Sequence, residues 1–203
     1  MPKLSTGSGT ANIRYRVKSA SEVATLAGEG SFAHRAAVQI FTANKFAKVF
    51  YLCVALTSGG SPVAAAVTVT FTNTPTARGI ARVYVCGEPC EYSYDNGTND
   101  TVTTIAAGIK AAVNAKRHLP VTADNASGVL TITAKHVGTS SGDGTSGAIR
   151  VHSEVTPGTA VAVADQAAAL GLGAATDGAE GTTTQAAALT TALATIENVS
   201  DYY

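Results

Sequence analysis

The chain changes its hydrophobic period several times, and each change falls at turn residues. Ile13, Tyr15 and Val17 alternate with Arg14, Arg16 and Lys18, the period-two pattern of a half-buried strand. Ser19-Ala20-Ser21-Glu22 then reads as a capping box, in which Ser19 and Glu22 satisfy amides that a helix start leaves open. A short helix over 20–27 follows, and Gly28 can supply its left-handed cap. A second helix is predicted over 32–44, with Ser31 as N-cap and Ala33, Ala36, Ala37, Ile40 and Phe41 on one face. Residues 49–56 form a continuous apolar run of strand length, as expected of a strand buried on both faces. Strand, two helices and buried strand together predict half of an α/β layer.

Thr57-Ser58-Gly59-Gly60-Ser61-Pro62 is the clearest linker in the chain. Beyond it Val67, Val69 and Phe71 alternate with threonines, a strand over 63–73. The stretch 79–155 is the best-formed unit. Ile80 to Val85 and Cys90 to Tyr94 read as a hairpin across Gly87-Glu88-Pro89. Asp100 or Thr101 caps a helix whose stripe is Val102, Ile105, Ala106, Ile109, Ala112 and Val113, and Pro120 stops it. A second hairpin turns about 124–128, a loop occupies 138–147, and a strand over 148–155 closes the unit. A further strand is possible at 160–164. A helix over 183–196, with Ala186, Leu189, Leu193 and Ile196 on one face, leads to the strand-like start Asn198 to Tyr203. The expected fold mixes α/β and α+β: a partial α/β layer, resumed near the C-terminus, with an inserted β-rich module containing one helix. The expected domains are 1–57, 63–155 and 156–203, the last a truncated return into the first layer. Residues 1–11 lack periodicity and are expected to be loosely held.

Composition narrows the function classes. The formal net charge is zero and charged residues make up 14 % of the chain, so no overall electrostatic footprint for nucleic acid or an anionic membrane is visible. Weak self-repulsion permits association. Residues 1–21 carry charges and no apolar core, so they do not read as a secretory signal, and we expect a soluble, cytoplasmically made product. Three cysteines, an odd number, argue against a disulfide framework.

Candidate chemistry is sparse. Gly28-Glu29-Gly30-Ser31-Phe32-Ala33 has the spacing of a dinucleotide fingerprint, which requires a strand before it, whereas a helix is predicted there. Cys86 and Cys90 are expected to face each other across the hairpin, as free thiols or as a disulfide, with Cys53 left over. His34, His118, His136 and His152 fall on separate elements and are read as exposed strand or surface histidines, although His136 and His152 would be neighbours if their strands paired. Glu88 and Glu91 bracket the hairpin tip as solvated carboxylates. Asn96, Asn99, Asn125 and Asn198 begin glycosylation sequons but are read as turn residues, and the loop around Asp143 lacks the spacing of a calcium loop. We therefore expect no catalytic, cofactor-binding or metal-binding residues, and no enzyme.

The order of these segments resembles the tail sheath protein of Mu-like contractile phages. The block VKSASEVATLAGEGSFAHRAAVQIFTANKFAKVFYLCVAL is similar to that family's early α/β part, and 79–155 is similar to its inserted β-rich domain, most closely at Thr103–Asn114 and Leu119–Gly138. Cys86 and Cys90 stand outside the family pattern, and its N-terminal arm and C-terminal half are not matched. The resemblance implies a structural virion protein, assembled in the host cytoplasm, that stacks as hexameric rings around the tail tube and contracts to drive the tube through the host envelope. Its partners would be other sheath subunits and the tube protein, with no nucleic acid, membrane or cofactor. The resemblance also implies that the inserted module lies on the outside of the sheath. Without the interlocking arms, these residues alone are expected to be monomeric or weakly associating. The alternative is a phage or cell-surface β-rich adhesion module, binding through 138–147. It calls for an exposed aromatic cluster near that loop, and Tyr84, Tyr92 and Tyr94 are instead expected to pack in the core.

Overall fold

The computed structural model describes residues 1–54, 63–72, 75, 78–95 and 100–137, the backbone of 151–155 and 162–163, and residues 190 and 193. Among these, helices and small antiparallel sheets are mixed in an α+β arrangement. The chain divides into two compact units. Met1–Val63 forms the first with Lys135–Gly138 and Ala179–Tyr203, and Ala64–Ala134 forms the second with Thr139–Gly178. The chain thus leaves the first unit and comes back to it twice. None of the described helices is long and apolar enough to cross a membrane.

The first unit begins with β1 (Arg14–Val17), α1 (Ala20–Ala27), α2 (Phe32–Ala43) and β2 (Val49–Leu52). Ser19 caps α1 by accepting from the Glu22 amide at 3.2 Å, while Glu22 reaches back to the Lys18 amide at 2.7 Å. The capping box is therefore reciprocal, offset by one residue from its usual form. β1 and β2 pair antiparallel, Tyr15 opposite Tyr51 and Val17 opposite Val49. Val17, Val23, Ala27, Ala33, Ala37, Phe41, Tyr51 and Cys53 form the core.

Three expectations need correction here. The apolar run at 49–56 is not a strand buried on both faces. β2 ends at Leu52 in a two-stranded sheet, and Phe50 is 53 % exposed with the Arg14 guanidinium 4.9 Å from its ring centre. On α2 the buried stripe is Ala33, His34, Ala37 and Phe41, and Ile40 faces solvent. Residues 1–11 are not loosely held. The last four carbonyls of a helix lack intrahelical partners, and in α1 all four are satisfied. Ala24 accepts from Gly28 (2.9 Å), Thr25 from Ser8 (3.0 Å), Leu26 from Gly9 (2.9 Å) and Ala27 from Leu4 (2.8 Å). Leu4 is buried, and Pro2 bridges to Val54. The absence of periodicity is explained by glycine. A Cβ on Gly7 would stand 2.6 Å from the Leu26 carbonyl oxygen, so the approach of the segment to the helix end requires a glycine at that position.

The second unit packs α3 (Val102–Ala115) with β3 (Ala66–Thr72), the hairpin β4–β5 (Gly79–Val85, Glu88–Tyr94), the hairpin β6–β7 (Val121–Ala126, Val129–Ala134), β8 (Val151–Val155) and β9 (Ala162–Val163). The strand orders are β6-β7-β3-β9 and β5-β4-β8. Val67, Val69 and Phe71 of β3 point into one core with Val83, Leu130, Ile132, Ile105 and Ile109. Thr101 and Thr104 close the capping box of α3. Asn114 ties that helix to β6, donating to the Ala123 carbonyl (2.8 Å) and accepting from its amide (2.9 Å). Both hairpins turn more tightly than expected. Cys86–Gly87 and Ser127–Gly128 are the turn pairs, each with positive φ at both residues, the conformation that matches strand twist. The expected loop residues Glu88 and Pro89 therefore belong to β5, and Asp124 to Ala126 belong to β6.

Two glycine contacts set a test. A Cβ on Gly108 of α3 would come 2.0 Å from the Tyr92 ring. Although alanine favours helix by about 1 kcal/mol over glycine, Gly108→Ala should lower unfolding free energy by ~1–3 kcal/mol through displacement of Tyr92. Gly7→Ala should cost a similar amount by pushing the leading segment off α1. Urea denaturation checks both, and a gain in stability from either substitution would contradict the packing described.

Candidate functional site

Polar chemistry gathers at one place in each unit. In the first unit it is the turn between α1 and α2. Gly28 and Gly30 carry positive φ, and Ser31 caps α2 by accepting from the His34 amide at 3.1 Å. The Gly30 amide donates to His34 Nδ1 at 3.1 Å. Lys135 and His136 come onto this turn from far along the sequence. Lys135 Nζ donates to the Glu29 carbonyl at 3.2 Å, and His136 stacks on Phe32 with ring centres 4.3 Å apart and planes 6° from parallel. The Phe32 amide donates to His136 Nε2 at 3.3 Å. The proton of a neutral His136 therefore sits on Nδ1, which is buried with no hydrogen-bond partner. Burial lowers the His136 pKa from 6.5 to about 4. The turn holds a neutral imidazole as a packed side chain and a hydrogen-bond acceptor.

This turn is where the dinucleotide spacing lies. Helix α1, not a strand, runs into Gly28, so the geometry that aims a strand-to-helix turn at a pyrophosphate is absent there. Its glycines serve instead as the left-handed C-cap of α1 and as a donor to His34.

In the second unit the polar cluster is at the β4–β5 tip. Glu88 accepts from Lys116 Nζ at 3.1 Å and lies 2.7 Å from His118 Nε2. Its carboxyl is held below the ordinary carboxylate range, first by the His118 hydrogen bond, which outweighs the opposing desolvation, with Lys116 adding to the lowering. Cys86 does not face Cys90. It occupies the turn, exposed, whereas Cys90 stands opposite Val83 with its thiol pushed up by burial. None of the three cysteines is in a disulfide. Glu91 pairs with Arg82 in the β4–β5 ladder. Asp100 gathers the Tyr92 hydroxyl (2.8 Å) and the Asp95 amide (2.7 Å), and its carboxyl is lowered by the Asp95 amide first and by Tyr92 next.

The remaining candidates scatter. His152 stands opposite Tyr84 in the β4–β8 ladder and His136 lies in the first unit, so the two do not pair as strand neighbours. His136 and His34 are buried rather than exposed. Asn125 lies in β6, and Tyr94 is buried in the second core. Asn96, Asn99, Asn198 and Asp143 lie outside the described residues. Among the described residues no three His, Cys, Asp or Glu side chains come together in a metal-holding group. The Glu88–Lys116–His118 cluster was missed in the sequence because its members come from two elements. The i, i+2 spacing of Lys116 and His118 just past α3 was the only signal for it. No family model matches the chain, and no curated protein sequence matches it.

The buried imidazole makes stability depend on pH. The folded pKa near 4 lies below the unfolded 6.5, so above 6.5 neither state is protonated and nothing is lost. As pH falls from 6.5 toward 4 the unfolded chain gains a proton that the folded one refuses, so unfolding free energy should drop by up to about 1.4 kcal/mol per unit. His136→Phe keeps a ring on Phe32 and should flatten that slope. Urea titrations at several pH values check this, and an equal slope in the variant would contradict it.

Proposed function

We propose that this chain is part of a structural subunit of a contractile phage tail sheath, which polymerises around a tail tube and shortens to drive the tube through a host envelope. The observation that carries this proposal is the interrupted first unit. A strand–helix–helix–strand start leads into a second unit built of hairpins around one helix, and the chain then rejoins the first. That is the element order by which the sequence resembles Mu-like sheath proteins. The open sheet of the first unit adds support. β1 and β2 bury one face against α1 and α2 and leave Phe50 exposed on the other, the state of a layer that further chain or a neighbour completes. In this proposal the working element is the repeated subunit interface, and free energy is held in the assembled array rather than in a catalytic centre.

Negative-stain electron microscopy of this protein co-expressed with a contractile-tail tube protein tests the proposal. Tubes with a helical surface lattice in extended and shortened forms are expected. Soluble particles with no tubes under conditions that assemble the tail tube would overturn it.

A further inference from the structure

The segment just past β7 seats a buried imidazole against the start of α2. Phe32 is the first residue of that helix, so its amide has no partner within the helix, and His136 Nε2 accepts from it at 3.3 Å. The two rings lie face to face, 4.3 Å apart and 6° from parallel. His136 is 1 % exposed, and its other nitrogen, Nδ1, has no hydrogen-bond partner. Lys135 Nζ adds a bond to the Glu29 carbonyl.

This seat suits only a neutral ring. Protonation puts a hydrogen on both nitrogens, so Nε2 would turn a donor toward the donating Phe32 amide. It would also set a positive charge at the positive end of the α2 dipole. The titratable and charged groups on the elements around the ring do not compensate. They are Glu29 on the turn, His34 and Arg35 in the first turn of α2, and Lys135 on the segment itself. Three of the four are basic, and neither ring nitrogen bonds to the fourth, Glu29. Burial is accordingly what depresses the His136 pKa. Phe32 lies outside the buried core of the first unit, so the ring can leave without unpacking that core.

We propose that residues 135–137 are an acid-released latch, docked on the α1–α2 turn while His136 is neutral and freed by its protonation with α1 and α2 still folded. Opening uncovers one face of the Phe32 ring and strips the first amide of α2 of its acceptor. Acid thereby changes what the turn presents before the unit unfolds. The latch does not depend on the structural role proposed above.

Native-state amide exchange by NMR, read as protection factors at pH 6.5 and at about pH 4, tests it. Phe32 protection should fall on the order of fifty- to a hundredfold, the ratio set by the proton affinities of the free and seated rings. The interior amides of α2 should keep theirs. Backbone shifts of 135–137 should move over the same pH range and hold still in His136→Phe, which keeps a ring on Phe32 but cannot titrate. Equal Phe32 protection at the two pH values would overturn the proposal. So would a matching loss across the interior of α2, which would mean unfolding rather than release. The same movement of 135–137 in the variant would overturn it too, by assigning the change to another group.

Discussion

The end of α1 is the constraint on which the first unit depends. Four carbonyls must find donors at a helix C-terminus, and a buried carbonyl left without one costs on the order of 1–3 kcal/mol. Here Gly28 takes one and the amides of Leu4, Ser8 and Gly9 take the other three. That requirement draws the leading segment across the helix end. It also bonds to the chain just past β2, where the Val54 amide donates to the Met1 carbonyl and the Cys53 carbonyl accepts from the Asn12 amide. The small core of Val17, Val23, Ala37 and Tyr51 is thus closed at one end by backbone rather than by side chains.

Local signals predicted much of this fold. The Ser19 cap, the span of α1, the Ser31 cap and the stripe of α3 are all short-range features, and each stands where its residues indicate. Features that depend on distant chain were not legible. Residues 1–11 look structureless because the glycines that permit their close approach are also the signature of a loop. Residues 49–56 look fully buried because an apolar run cannot say whether a second layer exists to cover it. The first hairpin turn was placed one to two residues too late and the second three residues too wide, since Cys86 and Ser127 are not residues expected at positive φ.

The candidate site divides in the same way. The helical context of Gly28–Ala33 was readable, because the helix before the motif has its own cap and period. The burial of His136 was not. A histidine after a strand reads as exposed, and only the arrival of residues 135–137 on the α1–α2 turn gives it Phe32 for a neighbour. Glu88 likewise gains its role from Lys116 and His118, supplied by the end of α3.

What unites these observations is an α+β protein whose first unit is closed at one end by its own leading segment. Amide hydrogen exchange at Leu4, Ser8 and Gly9 tests that account most directly. Protection comparable to the interior amides of α1 is predicted at all three, because each is bonded to a carbonyl of that helix. Exchange at the rate of an unstructured peptide, with α1 itself still protected, would contradict it.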